Sequence, residues 1–333
     1  MNWKLWVGIV ISGLLLFFAA RNVDLQSLLS ILKEVHYWYL VPVVFFTVLC
    51  MWIRALRWHF LLQPIKRIPI GDLFSATMIG FMANNLFPAR FGELVRALTI
   101  GKKANIGRSA SFATIVLERV FDGFTILIFL IILLLFFPIP LPHWLGQATT
   151  LAVGIYALVL LFLIGLRIQT TRFMALFRLI LKPLPQKIHE RILHIIKSFV
   201  SGLQILHDAK NIIIASFLSL LVWTTAALSV YFLILAFDFH LPVYSAFFLQ
   251  IILCLGVALP SAPGYIGTIQ FVCVTGLALF GIEHDSAFSF SLLYHAGQFI
   301  PITGIGLVYF FMEGFTFGQM KGSIKKYQAS EEE

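Results

Sequence analysis

Long apolar runs, separated by short polar stretches, constrain this sequence more than any other feature. A helix needs about 20 apolar residues to cross a bilayer. Six runs are close to that length: residues 5–20, Tyr37–Leu62, 109–137, 147–166, 212–237 and 287–315. Only 12% of the 333 residues are charged, against about 25% in soluble domains. We therefore expect an all-α polytopic membrane protein.

Two further apolar stretches are interrupted. The first, residues 73–87, leads into a polar run that begins at Asn84 and ends at Glu93. The second, residues 246–280, is too long for one helix and is broken between Pro260 and Gly267. Each break contains a Pro-x-x-x-Gly pattern, Pro88 to Gly92 and Pro260 to Gly264.

Lys and Arg are concentrated in some connections and absent from others, which indicates a membrane orientation. Residues 167–210 contain eight of them, whereas residues 138–146 contain none. If basic connections lie in the cytoplasm, both flanks of residues 73–100 do too, because Lys66, Arg67 and Lys103 surround that stretch. It then enters the membrane and returns, and residues 246–280 do the same from the outer face. We attribute the net charge of +9 to this orientation and not to nucleic-acid binding.

The predicted architecture is six spanning helices plus two re-entrant hairpins, in one domain over residues 1–320 followed by a charged tail, 321–333. Repeats over about 37–137 and 212–316 are related by inversion, which is a transporter architecture. A basic amphipathic connector, 167–210, joins them. Both termini are expected in the cytoplasm, at the cell membrane. The alternative is eight simple spans, which would place Lys66 and Arg67 outside.

The polar residues at the breaks and in the third run are candidates for substrate binding. Charges inside a bilayer are costly, so they need a function or a partner. One interpretation is contact with a lipid headgroup or ion; the other is an ion-pair lock, for example of Glu118 with Arg90 or Arg96. Asparagines there either contact a headgroup or cap exposed backbone. The candidates are Asn84, Asn85, Pro88, Arg90, Gly92, Glu93, Arg96, Glu118, Arg119, Asp122, Pro260, Pro263, Gly264 and Gly267.

For two other groups of polar residues, a structural role is preferred over a functional one. Arg54 and Arg57 lie near the inner end of the second run beside tryptophans, and we expect them to be interface anchors, with lipid-phosphate contact as the alternative. His295 and Gln298 lie in the last run. A hydrogen-bonded packing role is preferred for them over proton relay.

Several of these motifs resemble the flippase-like transmembrane region of lysylphosphatidylglycerol synthases. They are Ala55-Leu56-Arg57-Trp58, the run Asn84-Asn85-Leu86-Phe87-Pro88-Ala89-Arg90-Phe91-Gly92-Glu93-Leu94-Val95-Arg96, Glu118-Arg119-Val120-Phe121-Asp122, and Pro260 with Pro263, Gly264 and Gly267. The resemblance implies movement of a modified or glycosylated lipid across the cytoplasmic membrane. Gln270 stands where the family often has Glu, and His295 where it often has Arg, so both join the candidate site.

The leading hypothesis is a lipid flippase-like protein, not an enzyme, that moves an anionic or modified lipid of phospholipid or polyprenyl-phosphate type through a midplane polar cavity. The alternatives are a secondary transporter of a small soluble anion and a non-transporting partner of a cell-envelope glycosyltransferase. We expect anionic membrane lipids as partners and no nucleic acid, cofactor or metal. A lipid-modifying partner enzyme and a homo-oligomer both stay open.

Overall fold

The structure is a computed structural model that describes residues 3–21, 23–87, 91–104, 106–137, 209–257 and 261–316, with a few isolated positions elsewhere. These ranges contain α-helices and short 3-10 turns but no strand. The helices are α1 (Trp3–Ala20), α2 (Leu25–Glu34), α3 (Leu40–Leu62), α4 (Ile70–Leu86), α5 (Gly92–Ala104), α6 (Arg108–Phe136), α7 (Ala209–Ala236), α8 (Val243–Val257), α9 (Thr268–Ala278) and α10 (His284–Met312).

Four of the described helices are long and apolar enough to cross a membrane: Tyr37–Leu62, Ala110–Phe136, Ala209–Ala236 and His284–Met312. Four of the predicted runs are thus confirmed as helices of spanning length, and the chain is a multi-pass membrane protein. The predicted span 147–166, the connector 167–210 and the tail 321–333 lie almost wholly outside the described residues.

The first predicted run forms α1, but the chain then bends by 81° into the short helix α2, which we had not predicted. Asp24 begins α2, because its carboxylate accepts hydrogen bonds from the N–H groups of Gln26 and Ser27. Leu28 of α2 packs with Ala19 of α1 and Phe288 of α10. Counted together, α1 and α2 make a fifth candidate span.

The helices α4 and α5 form a hairpin whose open end is joined by an ion pair. Lys103 Nζ, near the end of α5, lies 3.0 Å from Asp72 Oδ1 at the start of α4 and 2.7 Å from Glu313 Oε1 just after α10. The helices have 17 and 13 residues, which is shorter than a full span. The chain therefore leaves this hairpin at the end where it entered.

The helices α8 and α9, with 15 and 11 residues, form a second hairpin. The ring of Phe280, just after α9, lies 5.7 Å from that of Phe248 near the start of α8. Tyr244, also in α8, stacks on Phe137 at the end of α6, with ring centroids 4.6 Å apart. This hairpin therefore opens at the end of the molecule where α6 finishes.

The two hairpins open at opposite ends of the molecule and their tips meet. Lys66 donates to the carbonyl of Ala104, so α3 finishes beside the open end of the first hairpin. His36 N–H donates to the carbonyl of Ala236, which joins the start of α3 to the end of α7. Between the tips, a Cβ on Gly264 would lie 3.5 Å from the carbonyl oxygen of Asn85.

Candidate functional site

A buried ion pair joins α5 to α6 one turn beyond the tip of the first hairpin. Arg96 Nη1 and Nη2 donate to Glu118 Oε2 and Oε1 over 2.6 and 2.8 Å, in the fork geometry that makes such pairs strong. Arg96 is 2% exposed and Glu118 is 0% exposed. The guanidinium carbon of Arg96 lies 3.9 Å from the ring centre of Trp58, whose indole N–H donates to Thr114. This pairing matches the ion-pair interpretation of Glu118.

Asp122, one helical turn further along α6, accepts hydrogen bonds from two arginines of α3. Arg57 Nη1 lies 2.7 Å from Oδ1 and Arg54 Nη1 lies 3.2 Å from Oδ2. The indole N–H of Trp223 in α7 donates to Oδ1 over 3.1 Å, and Arg57 also donates to Ser219. Asp122 therefore links α3, α6 and α7.

The prediction that Arg54 and Arg57 are interface anchors was wrong. Arg57 is 0% exposed and Arg54 is 8% exposed, so both guanidinium groups are enclosed by protein and are not available as surface anchors. The reason is that their face of α3 packs against α6 and α7, where Asp122 supplies the opposite charge. A flanking tryptophan is typical of an interface but does not reveal a carboxylate that lies 65 residues away in the chain.

Arg119 and Glu93 form the accessible edge of the charged cluster. Their side chains are 42% and 23% exposed, and Arg119 Nε lies 3.9 Å from Glu93 Oε1. Arg119 Nη1 also lies 3.3 Å from Asp122 Oδ2, so this edge is connected to the buried part. Arg119 is thus the most accessible cation of the cluster among the described residues.

The buried part of the cluster contains more positive than negative charge. Three arginines, 54, 57 and 96, face two carboxylates, Glu118 and Asp122, which leaves an excess of one positive charge. Within the described residues, Nε of Arg54, Nε and Nη2 of Arg57 and Nε of Arg96 are buried without a hydrogen-bond partner. The arrangement favours an anion, because guanidinium groups donate in a geometry that suits phosphate and carboxylate.

The two asparagines at the first break both make hydrogen bonds within the protein. Asn84 Oδ1 accepts from the N–H of Gly92 over 2.7 Å, across the hairpin tip. Asn85 Nδ2 donates to Thr303 of α10 over 2.9 Å. Gly92 is required because a Cβ there would collide with the carbonyl of Gly80 and with Asn84. Pro88 and Arg90, also predicted for the site, lie outside the described residues.

The second break is built from backbone turns and neutral side chains. Gly264 and Gly267 have φ of 72° and 85°, and Tyr265 between them has φ of 59°. Gln270 Oε1 accepts from the N–H of Gly267 over 2.7 Å, and its Nε2 lies 3.2 Å from His295 Nδ1.

Two further details of this break concern His295 and Pro263. Because the amide N–H of Gln270 faces Nδ1 of His295, that ring nitrogen accepts the hydrogen bond. Pro263 begins the 3-10 turn there. Pro260, the other proline predicted for the site, lies outside the described residues.

The helix α1 covers the second break, which the sequence did not indicate. Ser12 Oγ accepts from the N–H of Ala262 over 2.7 Å. A Cβ on Gly8 would lie 2.9 Å from the carbonyl of Ser261, and a Cβ on Gly267 would collide with the carbonyl of Ser12. Gly8 and Ser12 are four residues apart and share a helix face, which is the signal that could have predicted this close approach.

A neutral polar cluster lies between the two hairpins. Gln298 Nε2 in α10 donates to Thr47 of α3 over 2.8 Å and to Ser229 of α7 over 3.1 Å. Such hydrogen bonds commonly join membrane helices, and the predicted packing role of Gln298 agrees with them. No group of three or more His, Cys, Asp or Glu side chains that could hold a metal ion occurs among the described residues.

Comparison with known proteins identifies the family. The sequence profile of the lysylphosphatidylglycerol synthase TM region matches residues 5–306. This chain belongs to that family. The resemblance found in the motifs is therefore confirmed over nearly the whole length.

Two of the similar proteins are named as membrane proteins and one as a glycosyltransferase. A UPF0104 membrane protein of Methanocaldococcus jannaschii is 23% identical over 316 residues, which covers 92% of this chain and 94% of that protein. A UPF0104 membrane protein of Methanothermobacter thermautotrophicus is 26% identical over 274 residues, which covers 76% of this chain and 79% of that protein. The glycosyltransferase AglD of Haloferax volcanii is 29% identical over 36% of this chain and 19% of its own. No solved structure matches the chain significantly.

Proposed function

We propose that this family member moves a lipid with an anionic headgroup across the cytoplasmic membrane, with the headgroup in a polar cavity of the protein. One observation carries the proposal: Arg119 and Glu93, whose side chains are 42% and 23% exposed, lie far from the ends of the spanning helix α6. Arg119 follows the start of α6 by eleven residues, or about 16 Å at 1.5 Å per residue. That is about half the roughly 30 Å hydrocarbon thickness.

A charge at that depth needs water or a polar ligand beside it. Arginine at the bilayer centre costs about 2.5–3.5 kcal/mol on insertion scales. A water-filled cavity next to α5 and α6 removes this cost for the exposed part of Arg119. The excess positive charge of the buried arginines behind Arg119 makes the same cavity attractive to an anion.

The helix order supports a cavity at membrane depth. We infer that α4–α5 and α8–α9 are re-entrant hairpins, and that α3 to α6 and α7 to α10 are inverted repeats. The support is that these hairpins open at opposite ends and that their tips meet between the asparagines of α4 and Gly264. Non-helical backbone inside a membrane is tolerated where it borders protein or a water-filled cavity.

The distribution of basic residues supports a cytoplasmic position for the open end of the first hairpin. Lys66, Arg67 and Lys103 all lie at that end. The opposite end, where α7 finishes and α8 begins, has no Lys or Arg from Asp238 to Val243. By the positive-inside rule the first end is cytoplasmic. This orientation also places the end of α10 in the cytoplasm.

A vesicle assay tests the proposal. The protein is reconstituted with a fluorescent anionic phospholipid or a labelled polyprenyl phosphate, and label in the outer leaflet is bleached by an impermeant reductant. We expect protein-containing vesicles to expose the protected label faster than empty vesicles. The proposal fails if no anionic, aminoacylated or polyprenyl-phosphate lipid is moved. Uptake of radiolabelled phosphate without any lipid movement would instead favour a transporter of a small soluble anion.

A second candidate is a non-transporting membrane partner of a glycosyltransferase. The observation that favours it is the match to a protein named glycosyltransferase AglD. The matched segment covers 19% of the length of AglD. Affinity purification from the native membrane tests this candidate. A stoichiometric complex with a glycosyltransferase, whose activity survives Arg119→Ala, would support it over lipid movement.

A further inference from the structure

The short helix α2 has an apolar face of which one part packs on the protein and the other part is exposed. At 100° per residue its leucines 25, 28, 29 and 32 fall on one side of the helix. Leu28 is 9% exposed and packs with Phe288, and Leu32 packs in the same cluster. Leu25 and Leu29 are 72% and 57% exposed. The opposite side carries the polar residues Gln26, Ser30, Lys33 and Glu34.

The residues after α2 continue this exposed apolar surface. Trp38 is 87% exposed and Tyr37 is 50% exposed. Tyr37 is held in place because its hydroxyl donates to the carbonyl of Leu32 over 2.7 Å. Further on, Val41 and Phe45 of the spanning helix α3 are 64% and 59% exposed, which is the surface expected to face lipid chains. Aromatic residues are enriched where such a surface reaches the water interface.

The orientation of α2 is the third observation. It meets α1 at 81°, so it runs across the direction of a helix that enters the bundle. It packs on α10 near that helix's first residues, at the end of the molecule where His36 contacts Ala236. That end is opposite the basic open end of the first hairpin.

We propose that α2 lies flat in the lipid–water interface of the leaflet opposite the basic end, with Leu25, Leu29 and Trp38 inserted among lipids. The occupant is a lipid surface because the apolar face is continuous with the lipid-facing side of α3. Arg21 and Lys33 are balanced by Asp24 and Glu34, so the segment has no net charge. Binding therefore depends on apolar burial and not on anionic lipids.

Adjacent cysteine substitutions test the placement in vesicles. Leu29→Cys and Ser30→Cys are each made in a Cys254→Ser background, because Cys254 is half-buried whereas Cys50 and Cys273 are buried. Each variant is treated with a membrane-impermeant maleimide, and the background protein is the blank. We expect Ser30→Cys to react, and Leu29→Cys to react at least about tenfold more slowly. Burial of one leucine side chain corresponds to a factor of about that size or larger. The ratio should be the same with and without anionic lipid.

Two outcomes would overturn the proposal. Equal, fast reaction at both positions would place α2 in water, and no reaction at either would indicate a covering protein or a second copy. Trp38 provides an independent measurement: the fluorescence lost in Trp38→Phe should be quenched best by bromines near the headgroup end of the acyl chains. These measurements do not depend on lipid movement. The placement of α2 can therefore be wrong while the proposed function is right, and the reverse.

Discussion

The two hairpins share a shape but are stabilised by different chemistry. The first, α4–α5, is surrounded by buried arginines and carboxylates, and Asn84 closes its tip. The second, α8–α9, has no ionised side chain among the described residues of its break; glycines with positive φ, Gln270 and His295 take their place. The second is also covered by α1, through Ser12.

Under the proposed function, this difference divides the roles of the two hairpins. An anionic headgroup would be attracted to the first hairpin, where the positive excess and the accessible Arg119 are found. The second hairpin offers neutral hydrogen-bonding groups, which would bind a charged headgroup weakly and allow it to leave. Removing a buried charge beside the first hairpin should therefore cost the most stability, and changes at the second hairpin should affect mainly stability.

The largest effect is expected from Asp122→Ala, which leaves Arg54 and Arg57 buried without their carboxylate. Removing one partner of a buried ion pair typically costs about 3–5 kcal/mol. We expect a large drop in thermal unfolding temperature in detergent, or loss of the monodisperse protein. Glu34→Ala, which removes an exposed carboxylate of α2, is the control and should be near neutral. An unchanged unfolding temperature for Asp122→Ala would contradict the importance of this ion pair.

A double-mutant cycle on Arg96 and Glu118 comes next. Each single change, Arg96→Met or Glu118→Leu, leaves a buried charge unpaired, at a cost of about 3–5 kcal/mol. The double variant keeps the net charge of the cluster and should be destabilised by less than the sum of the singles. It should also retain lipid movement. Additive destabilisation would show that the two side chains are not coupled.

At the second hairpin, Gly267→Ala is compared with Gly281→Ala. Both glycines have positive φ, but a Cβ at Gly267 collides with Ser12 whereas nothing lies within 4 Å of one at Gly281. Each change should cost about 1–3 kcal/mol for the backbone, and Gly267→Ala should cost more because α1 must move. Equal losses in unfolding temperature would show that α1 does not pack closely on the break.

The smallest effect is expected from Asn84→Ala, which removes the acceptor for the N–H of Gly92. Loss of such a cap costs about 1 kcal/mol. Asn84→Ser keeps a short hydrogen-bond acceptor on α4, facing the Gly92 N–H at the start of α5, and should recover part of the stability. The measurement is again the unfolding temperature. A loss as large as that of Asp122→Ala would mean that Asn84 does more than close the tip.

Much of the fold could be predicted because apolar run length and breaks are local properties. The long helices and the interruptions at Gly92 and Gly264 follow from them. The partners of Asp122 could not be predicted, since Arg54 and Arg57 carry the same local pattern whether they face lipid or a distant carboxylate. The helix α2 was missed because ten amphipathic residues are short beside the spans that flank them.

The pairing of the candidate residues was only partly visible in the sequence. Glu118 and Asp122 share a face of α6 because they are four residues apart, and that spacing indicated a common environment. Which arginine each would bind depends on how α3, α5 and α6 pack. The contact of α1 with the second break depends on packing in the same way, through Gly8 and Ser12.

The most direct test of the account is the lipid movement rate of Arg119→Ala against that of Arg67→Ala. Arg67 is exposed at the basic end and provides a matched loss of one positive charge. Losing one charge-assisted hydrogen bond of about 1.5–3 kcal/mol should slow movement of an anionic lipid roughly ten- to hundredfold in Arg119→Ala. Arg67→Ala should move the lipid at the native rate. Equal rates for the two variants would contradict a headgroup path past the first hairpin.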